Sequence, residues 1–283
     1  MTPVEPRPSV TTLFHCSDLH FGHPAVPEQY EAIETIIESR KYDVVAISGD
    51  VTQRARAGEF QRARSFIQRA ERAGSEVIVV PGNHDVAWWR APLGFGDPDA
   101  MYRKYRQYIS QDIEPVLRIA GATLIGLNTS LGVIRQTLTW NLRDLSIIGH
   151  LTRPQTDRAR AEFARSRGDD ARVIVMHHNP VKGELSQRHG LKNTQRILGA
   201  FAEMGVDLVL CGHDHQEAVH YIEHTKRGTV ISTSGTISNR SRGGRPSSVN
   251  SIRITPAEIE VSTLLWSEEH GNFIAGPAQC FKR

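Results

Sequence analysis

The chain has 283 residues, 39% of them hydrophobic and 23% charged, with a formal net charge of +3. This is the composition of an ordinary globular protein. A charge so small does not by itself argue for a nucleic-acid partner, and no apolar run nears the roughly 18 residues that would cross a membrane. The cysteines, Cys16, Cys211 and Cys280, are odd in number and form no CxxC pair, which argues against a disulfide framework or a thiolate zinc site and fits a reducing cytoplasm.

Residues 1–10 are proline-rich, with no apolar segment after a basic start. They read as a disordered lead-in, not a secretory signal. Thr11 to Ser17 predicts a strand that ends in Asp18-Leu19-His20 and Phe21-Gly22-His23-Pro24. Pro27 to Arg40 sets Tyr30, Ile33, Ile36 and Ile37 at helical spacing, and Val44 to Ser48 is a short apolar strand delivering Gly49-Asp50. Gly58 to Ala73 predicts a helix stopped by Gly74. The next strand, Val77 to Val80, runs into Pro81-Gly82-Asn83-His84-Asp85. Proline and glycine break that strand at once, and the glycine lets the backbone approach whatever the next side chains hold. Strand, helix and strand in succession imply parallel crossovers, with helices covering the sheet.

From Ala87 the pattern changes to Trp88-Trp89, glycines and prolines, then a basic aromatic helix from Met101 to Ile109, so 87–112 reads as an insertion overhanging the site. Tyr102, Tyr105 and Tyr108 form either a stacking face for a base or a stripe that packs on the domain. Val116 to Ala120 and Thr123 to Asn128 predict a hairpin that opens a second sheet. Residues 131 to 150 read as loop and short strand, and Pro154 to Arg167 as a helix with Thr152 as N-cap. Val173 to Met176 is a buried strand followed by His177-His178-Asn179-Pro180, and a polar loop spans Gly183 to Lys192. Thr194 to Met204 is helical, and Val206 to Cys211 is a strand ending in Gly212-His213-Asp214-His215. Val219–Ile222, Val230–Thr233, Val249–Ile254 and Ile259–Leu265 alternate as antiparallel strands, with turns at Lys226-Arg227-Gly228 and Pro256-Ala257. No repeat or linker interrupts the pattern, so 11–283 reads as a single α/β domain.

The 13 histidines gather in short groups. The strand ends collect Asp18, His20, Asp50, Asn83, His84, His177, His213 and His215, all oxygen or imidazole donors. One such residue is more often a cap, but an ordered series of them points to metal chemistry. They are too many for one tetrahedral ion, and a carboxylate can bridge two. The natural reading is therefore a dinuclear site, with metals about 3.5 to 4 Å apart and Asp50 as the bridge. Alternate residues in Asp18-Leu19-His20 and His213-Asp214-His215 are expected to project to one side of an extended segment. Mixed nitrogen and oxygen donors without sulfur fit Mn, Fe or Zn better than an all-oxygen Mg or Ca site. Cys16 and Cys211 read as buried hydrophobes; His15, His150, His220 and His224 as structural or surface residues; and His23 and His189 as rim. Arg240, Arg242 and Arg245 beside Gly243-Gly244 read as a solvated basic loop, with nucleic-acid contact as the alternative.

The series Asp-x-His, Gly-Asp, Gly-Asn-His-Asp, His and Gly-His-x-His resembles the calcineurin-like metallophosphoesterase superfamily over residues 11–215. A looser likeness, from Ser234-Gly235-Thr236 through Arg242-Gly243-Gly244 to Asn250, resembles bacterial members grouped with class III cyclic-nucleotide phosphodiesterases. The resemblance implies a four-layer αββα sandwich of two mixed β-sheets. It also implies one metal on Asp18, His20 and His215, a second on Asn83, His177 and His213, Asp50 between them, and His84 free as general acid. Aligning the double histidine puts the ligand at His177 and His178 at the rim, although the family's proline usually comes earlier than Pro180. Many members carry an acid three residues after the bridging aspartate to orient the histidine. Here that residue is Gln53, which can accept a hydrogen bond without adding charge. Arg54 matches a family arginine, and Asp85 is a supporting carboxylate. The implied chemistry is attack of a metal-bridging hydroxide on a small phosphoester, foremost a diester such as a cyclic nucleotide. A nuclease or phosphomonoesterase on the same site is the alternative, and a non-catalytic interaction scaffold a third. Trp88, Trp89 and the insertion would then select the substrate.

Overall fold

The computed structural model describes residues 10–23, 25–87, 90, 97–132, 147–185, 190–224 and 227–283. The expectations for 1–9, Trp88, Trp89, 133–146, His189 and Lys226 fall outside these residues.

Strands β1 (Thr11–Cys16), β2 (Val44–Ile47) and β3 (Glu76–Val79) lie parallel in one sheet. Helices α1 (Pro27–Arg40) and α2 (Ala57–Arg72) connect them as crossovers. After the short α3 (Arg103–Tyr108), β4 (Val116–Ile119) and β5 (Ala122–Leu127) form the hairpin that starts the second sheet. That sheet continues in parallel through β6 (Ala171–His178) and β7 (Leu208–Gly212), with α4 (Arg153–Phe163) and α5 (Thr194–Met204) as crossovers. Thr152 caps α4 as the sequence implied: its hydroxyl accepts the Gln155 N–H while the Gln155 amide oxygen accepts the Thr152 N–H.

The tail departs from a plain antiparallel meander. Strand β9 (Gly228–Thr233) pairs parallel with β7 and antiparallel with β8 (Ala218–Glu223), closing the order β4-β5-β6-β7-β9-β8. The chain then crosses back, and β10 (Ser248–Ile254) pairs antiparallel with β1. Strands β11 (Glu258–Ser267), β12 (Asn272–Ala275) and β13 (Gln279–Lys282) complete the first sheet. The sequence did not announce β12 because only Phe273 in it is buried, so no alternation is visible.

Strand alternation builds the layers. Leu13, Val44, Ala46 and Ile78 of the first sheet meet Leu124, Val173, Val175 and Leu210 of the second in the middle core. Phe14, Val45 and Ile47 turn the other way onto Ile33, Phe60 and Phe66 of α1 and α2, while Ile174, Met176 and Val209 turn onto Phe163, Ile197 and Phe201 of α4 and α5. The result is helix, sheet, sheet, helix. The tyrosine stripe before β4 is used in packing: Tyr105 is buried, the Tyr102 hydroxyl donates to the Ser130 carbonyl at 2.7 Å, and Tyr108 stacks on Phe60 with ring centroids 6.0 Å apart. Among the described residues no helix is long and apolar enough to cross a membrane.

Candidate metal centre

Parallel strands end at a common edge, and ligands in open α/β sheets bind there. Here two sheets share that edge. Asp18 and His20 follow β1, Asp50 follows β2, and Asn83, His84 and Asp85 form a 3₁₀ turn after β3. His177 is the penultimate residue of β6, and His213 and His215 follow β7. Asp18, His20, Asp50, His213 and His215 all have left-handed backbones, with φ of 52°, 47°, 51°, 73° and 54°. The two Xaa-x-His pairs are therefore not extended as their spacing suggested; each residue sits in a bend. Such a conformation costs a non-glycine residue about 1–2 kcal/mol, and its concentration at one edge marks a functional site.

The side chains converge in two sets. In one, His20 Nε2 and His215 Nε2 are 3.1 Å apart, and Asp18 Oδ1 lies 3.1 Å from His215 Nε2 and 3.7 Å from His20 Nε2. In the other, Asn83 Oδ1 lies 3.2 Å from His177 Nε2 and 3.1 Å from His213 Nδ1, and those two nitrogens are 3.2 Å apart. Asp50 Oδ2 faces both, 3.9 Å from His20 Nε2 and 3.3 Å from His177 Nε2. A cation bound at about 2.1 Å to each donor separates neighbouring donors by about 3.0–3.4 Å, so most of these spacings suit a transition-metal ion. Asp18 Oδ1 is buried and accepts no hydrogen bond among the described residues, as expected of an atom reserved for a cation.

Hydrogen bonds on the outer side of His177, His215, Asp18 and Asp50 aim them inward. His177 Nδ1–H donates to the Ser48 carbonyl at 2.8 Å and His215 Nδ1–H to the Arg240 carbonyl at 3.1 Å, so that each ring turns Nε2 toward the centre. The His213 N–H donates to Asp18 Oδ2 and the His84 N–H to Asp50 Oδ1, each at 2.8 Å. A Cβ on Gly82 would overlap the Asp50 carboxylate and backbone nitrogen, and one on Gly212 would overlap Ser17 Oγ and Asp18 Oδ2. No side chain fits at either position. Asp85 is buried behind the donors, where it accepts from Gly82 N, Val51 N, Thr52 N and Thr52 Oγ1 at 2.8 to 3.1 Å and ties the β2 and β3 loops together.

Burial opposes charge throughout this edge. Even so, His215 and His20 hold the Asp18 carboxyl well below its usual range, and His177 and His84 do the same for Asp50. Burial likewise opposes protonation of His177, but the Asp50 carboxylate pushes it up to about 9. His213 is pushed down to about 3 by burial, with His177 adding to the effect. The metal-free centre thus keeps a proton between His177 and Asp50. That proton stabilises the apo protein fully below the unfolded histidine value, and the contribution is lost as pH rises through about 9. A cation must displace it, so metal affinity is expected to rise up to about tenfold per pH unit and level off near that pH. Titration calorimetry in buffers of different ionisation enthalpy should find about one proton released per protein at pH 7.5. No proton release, with flat affinity between pH 6 and 8, would contradict this.

The remaining expected residues divide. His84 Nδ1 lies 2.7 Å from the carbonyl oxygen of Gln53, so the backbone orients this imidazole, not the Gln53 side chain. The Gln53 side-chain oxygen instead accepts from Arg240 Nη1 at 3.0 Å, and that nitrogen is 3.5 Å from His84 Nε2. Arg240 is therefore not part of the solvated basic loop that its Gly- and Ser-rich surroundings suggest. Of its neighbours, Arg242 is exposed and Arg245 is ion-paired to Glu217 and Glu184. The Arg54 side chain is exposed. His178 is not at the rim: it is buried, its Nδ1 2.7 Å from Thr129 Oγ1 and its ring 4.4 Å from that of His213. It stays beside its neighbour His177, with the two rings 4.9 Å apart, because the strand register shifts between Val175 and His178, and it groups with His177 and His213 as a further candidate donor. Cys16 and Cys211 are buried, and burial pushes the Cys211 thiol up to about 12.

Two mixed sheets between helices, with paired oxygen and imidazole donor sets at their shared edge, define a metal-binding αββα sandwich. The family model described as calcineurin-like phosphoesterase matches residues 11–217, and the chain belongs to that family. Its members work with pairs of transition-metal ions, and membership supports a metal-dependent phosphoester hydrolase. Among solved structures, a dimetal phosphatase from Danio rerio aligns with a TM-score of 0.66 at 10% identity, over 96% of this chain and 98% of that one. Purple acid phosphatase PPD1 from yellow lupin seeds aligns with a TM-score of 0.67 at 11% identity, over 98% of this chain and 54% of that one. GAP50, the anchor in the inner membrane complex of Plasmodium, aligns at 0.60 and 12% identity, over 96% and 89%. No curated protein matches the chain by sequence.

Proposed function

We propose that the protein is a dinuclear metal-dependent phosphodiesterase acting on a small diester such as a cyclic nucleotide. The observation that carries the two-metal reading is the position of Asp50 Oδ2 between the donor sets. Asp18, His20 and His215 would hold one ion, Asn83, His177 and His213 the other, and Asp50 both. When bound, Mn, Fe or Zn ions supply positive charge for phosphoryl oxygens and lower the pKa of a coordinated water. His84, its Nδ1–H committed to the Gln53 carbonyl, presents Nε2 for proton transfer to the leaving alkoxide.

The class III likeness gains support from the tail it rests on. The Thr236 hydroxyl donates to the Asp18 carbonyl at 2.7 Å, and the Arg240 carbonyl holds His215, so this segment wraps the first donor set. Arg240 favours one second reading, a phosphomonoesterase, because a monoester dianion carries an additional anionic oxygen. The scaffold reading is disfavoured by the complete donor set. The test is to load apo protein with Mn, Fe or Zn and compare a monoester, a linear diester, cyclic nucleotides and single-stranded DNA. A higher kcat/KM for the monoester would replace the diesterase reading, and absence of metal-dependent turnover of all of them would end the hydrolase reading.

A further inference from the structure

We propose that the guanidinium of Arg240 binds a phosphoryl oxygen of the substrate and that Gln53 is its positioning residue. This rests on the phosphoester reading above but concerns a group outside both donor sets. Residue 240 is anchored at the centre by its own backbone, since its carbonyl accepts from His215 Nδ1 at 3.1 Å. From that anchor the side chain reaches across to His84, with Nη1 3.5 Å from His84 Nε2 and 3.0 Å from Gln53 Oε1. The guanidinium therefore lies on the side of the centre where His84 meets the leaving group.

Charge separates this arginine from its neighbours. Arg245 is neutralised by Glu217 and Glu184, whereas Arg240 makes no ion pair among the described residues. Its Nη1 partner is a neutral amide, which fixes direction without cancelling charge. A positive group held this way, half-buried and beside the His84 ring, is poised for an anion. A guanidinium fork suits a phosphoryl group, to which it donates charge-assisted hydrogen bonds with defined geometry. The acid usual three residues after the bridging aspartate would pair with Arg240 and remove that capacity, whereas Gln53 preserves it.

The test is inorganic phosphate binding to the Mn-loaded protein, measured by calorimetry, with bound metal counted in parallel. Arg240→Ala keeps the carbonyl that holds His215, so metal content is expected to stay at the wild-type level while phosphate affinity falls about 10- to 100-fold, the range of one charge-assisted contact. Gln53→Ala should weaken phosphate binding by about 3- to 10-fold and Gln53→Glu, whose carboxylate would pair with the guanidinium, should weaken it at least as far, while free guanidinium should partly restore binding to Arg240→Ala. Unchanged phosphate affinity in Arg240→Ala, wild-type protein that binds no phosphate, or loss of metal alongside loss of phosphate would each overturn the assignment. If affinity falls as expected but the wild type turns over no phosphoester, the anion site stands and the hydrolase reading fails.

Discussion

Asp50→Asn is expected to slow phosphoester hydrolysis by about 10³-fold, roughly 4 kcal/mol of barrier, and to drop bound metal from two ions toward one. Asparagine is nearly isosteric, but its orientation is forced. The His84 N–H needs an acceptor and takes the amide oxygen in place of Asp50 Oδ1, which turns the NH₂ into the position that Oδ2 holds between His20 and His177. A donor then occupies the place of the shared acceptor. The loss is uneven between the two sets. The first retains the Asp18 carboxylate, whereas the second, Asn83, His177 and His213, is left with neutral donors only. The same substitution removes the charge that raises His177, so metal affinity in the variant should no longer climb between pH 6.5 and 9. Elemental analysis and steady-state rates on protein with wild-type circular dichroism check this. A variant with two ions and turnover within tenfold of wild type would show that Asp50 is not shared.

The donors were legible in the sequence because each follows a short apolar strand, so local order along the chain encodes position along the shared edge. Asp18, Asp50, Asn83 and His213 needed no long-range information. What escaped depends on contacts between distant segments. Arg240, Arg242 and Arg245 are interchangeable in a Gly- and Ser-rich loop, yet one reaches His84, one is exposed and one meets Glu217 and Glu184. Nothing near them in sequence names those partners. The Asp18-Leu19-His20 spacing suits a strand or a pair of left-handed bends equally, and only the hydrogen bonds from Asp18 N to Gly49 O and His20 N to Asp50 O select the bends. At Gln53 the residue type drew attention to the side chain when the orienting atom was its carbonyl, which any residue would supply. The alternation begun at Val173 does not separate His177 from His178, because the strand register shifts between Val175 and His178 and both rings end beside His213.

His84→Ala is expected to slow hydrolysis of a diester with an alkoxide leaving group by about 10²- to 10⁴-fold, and of one with a p-nitrophenolate leaving group by less than about tenfold. The Gln53 carbonyl can only accept, so the proton on Nδ1 is committed, and Nε2 is the nitrogen left to exchange a proton within the site. The ring lies edge-on to His20, with centroids 4.8 Å apart, which places it beside the first donor set without making it a member. Alanine also leaves the centre intact, because the contact with Asp50 Oδ1 comes from the His84 backbone N–H. The expected difference between leaving groups therefore reports the side chain alone. An alkoxide needs a proton as the P–O bond breaks, whereas p-nitrophenolate departs as the stable anion. Equal slowing of both substrates would reassign His84 to stabilising charge at phosphorus. Gln53→Ala is the matching control: it retains the carbonyl that orients His84, so whatever it loses through Arg240 should be the same for both leaving groups.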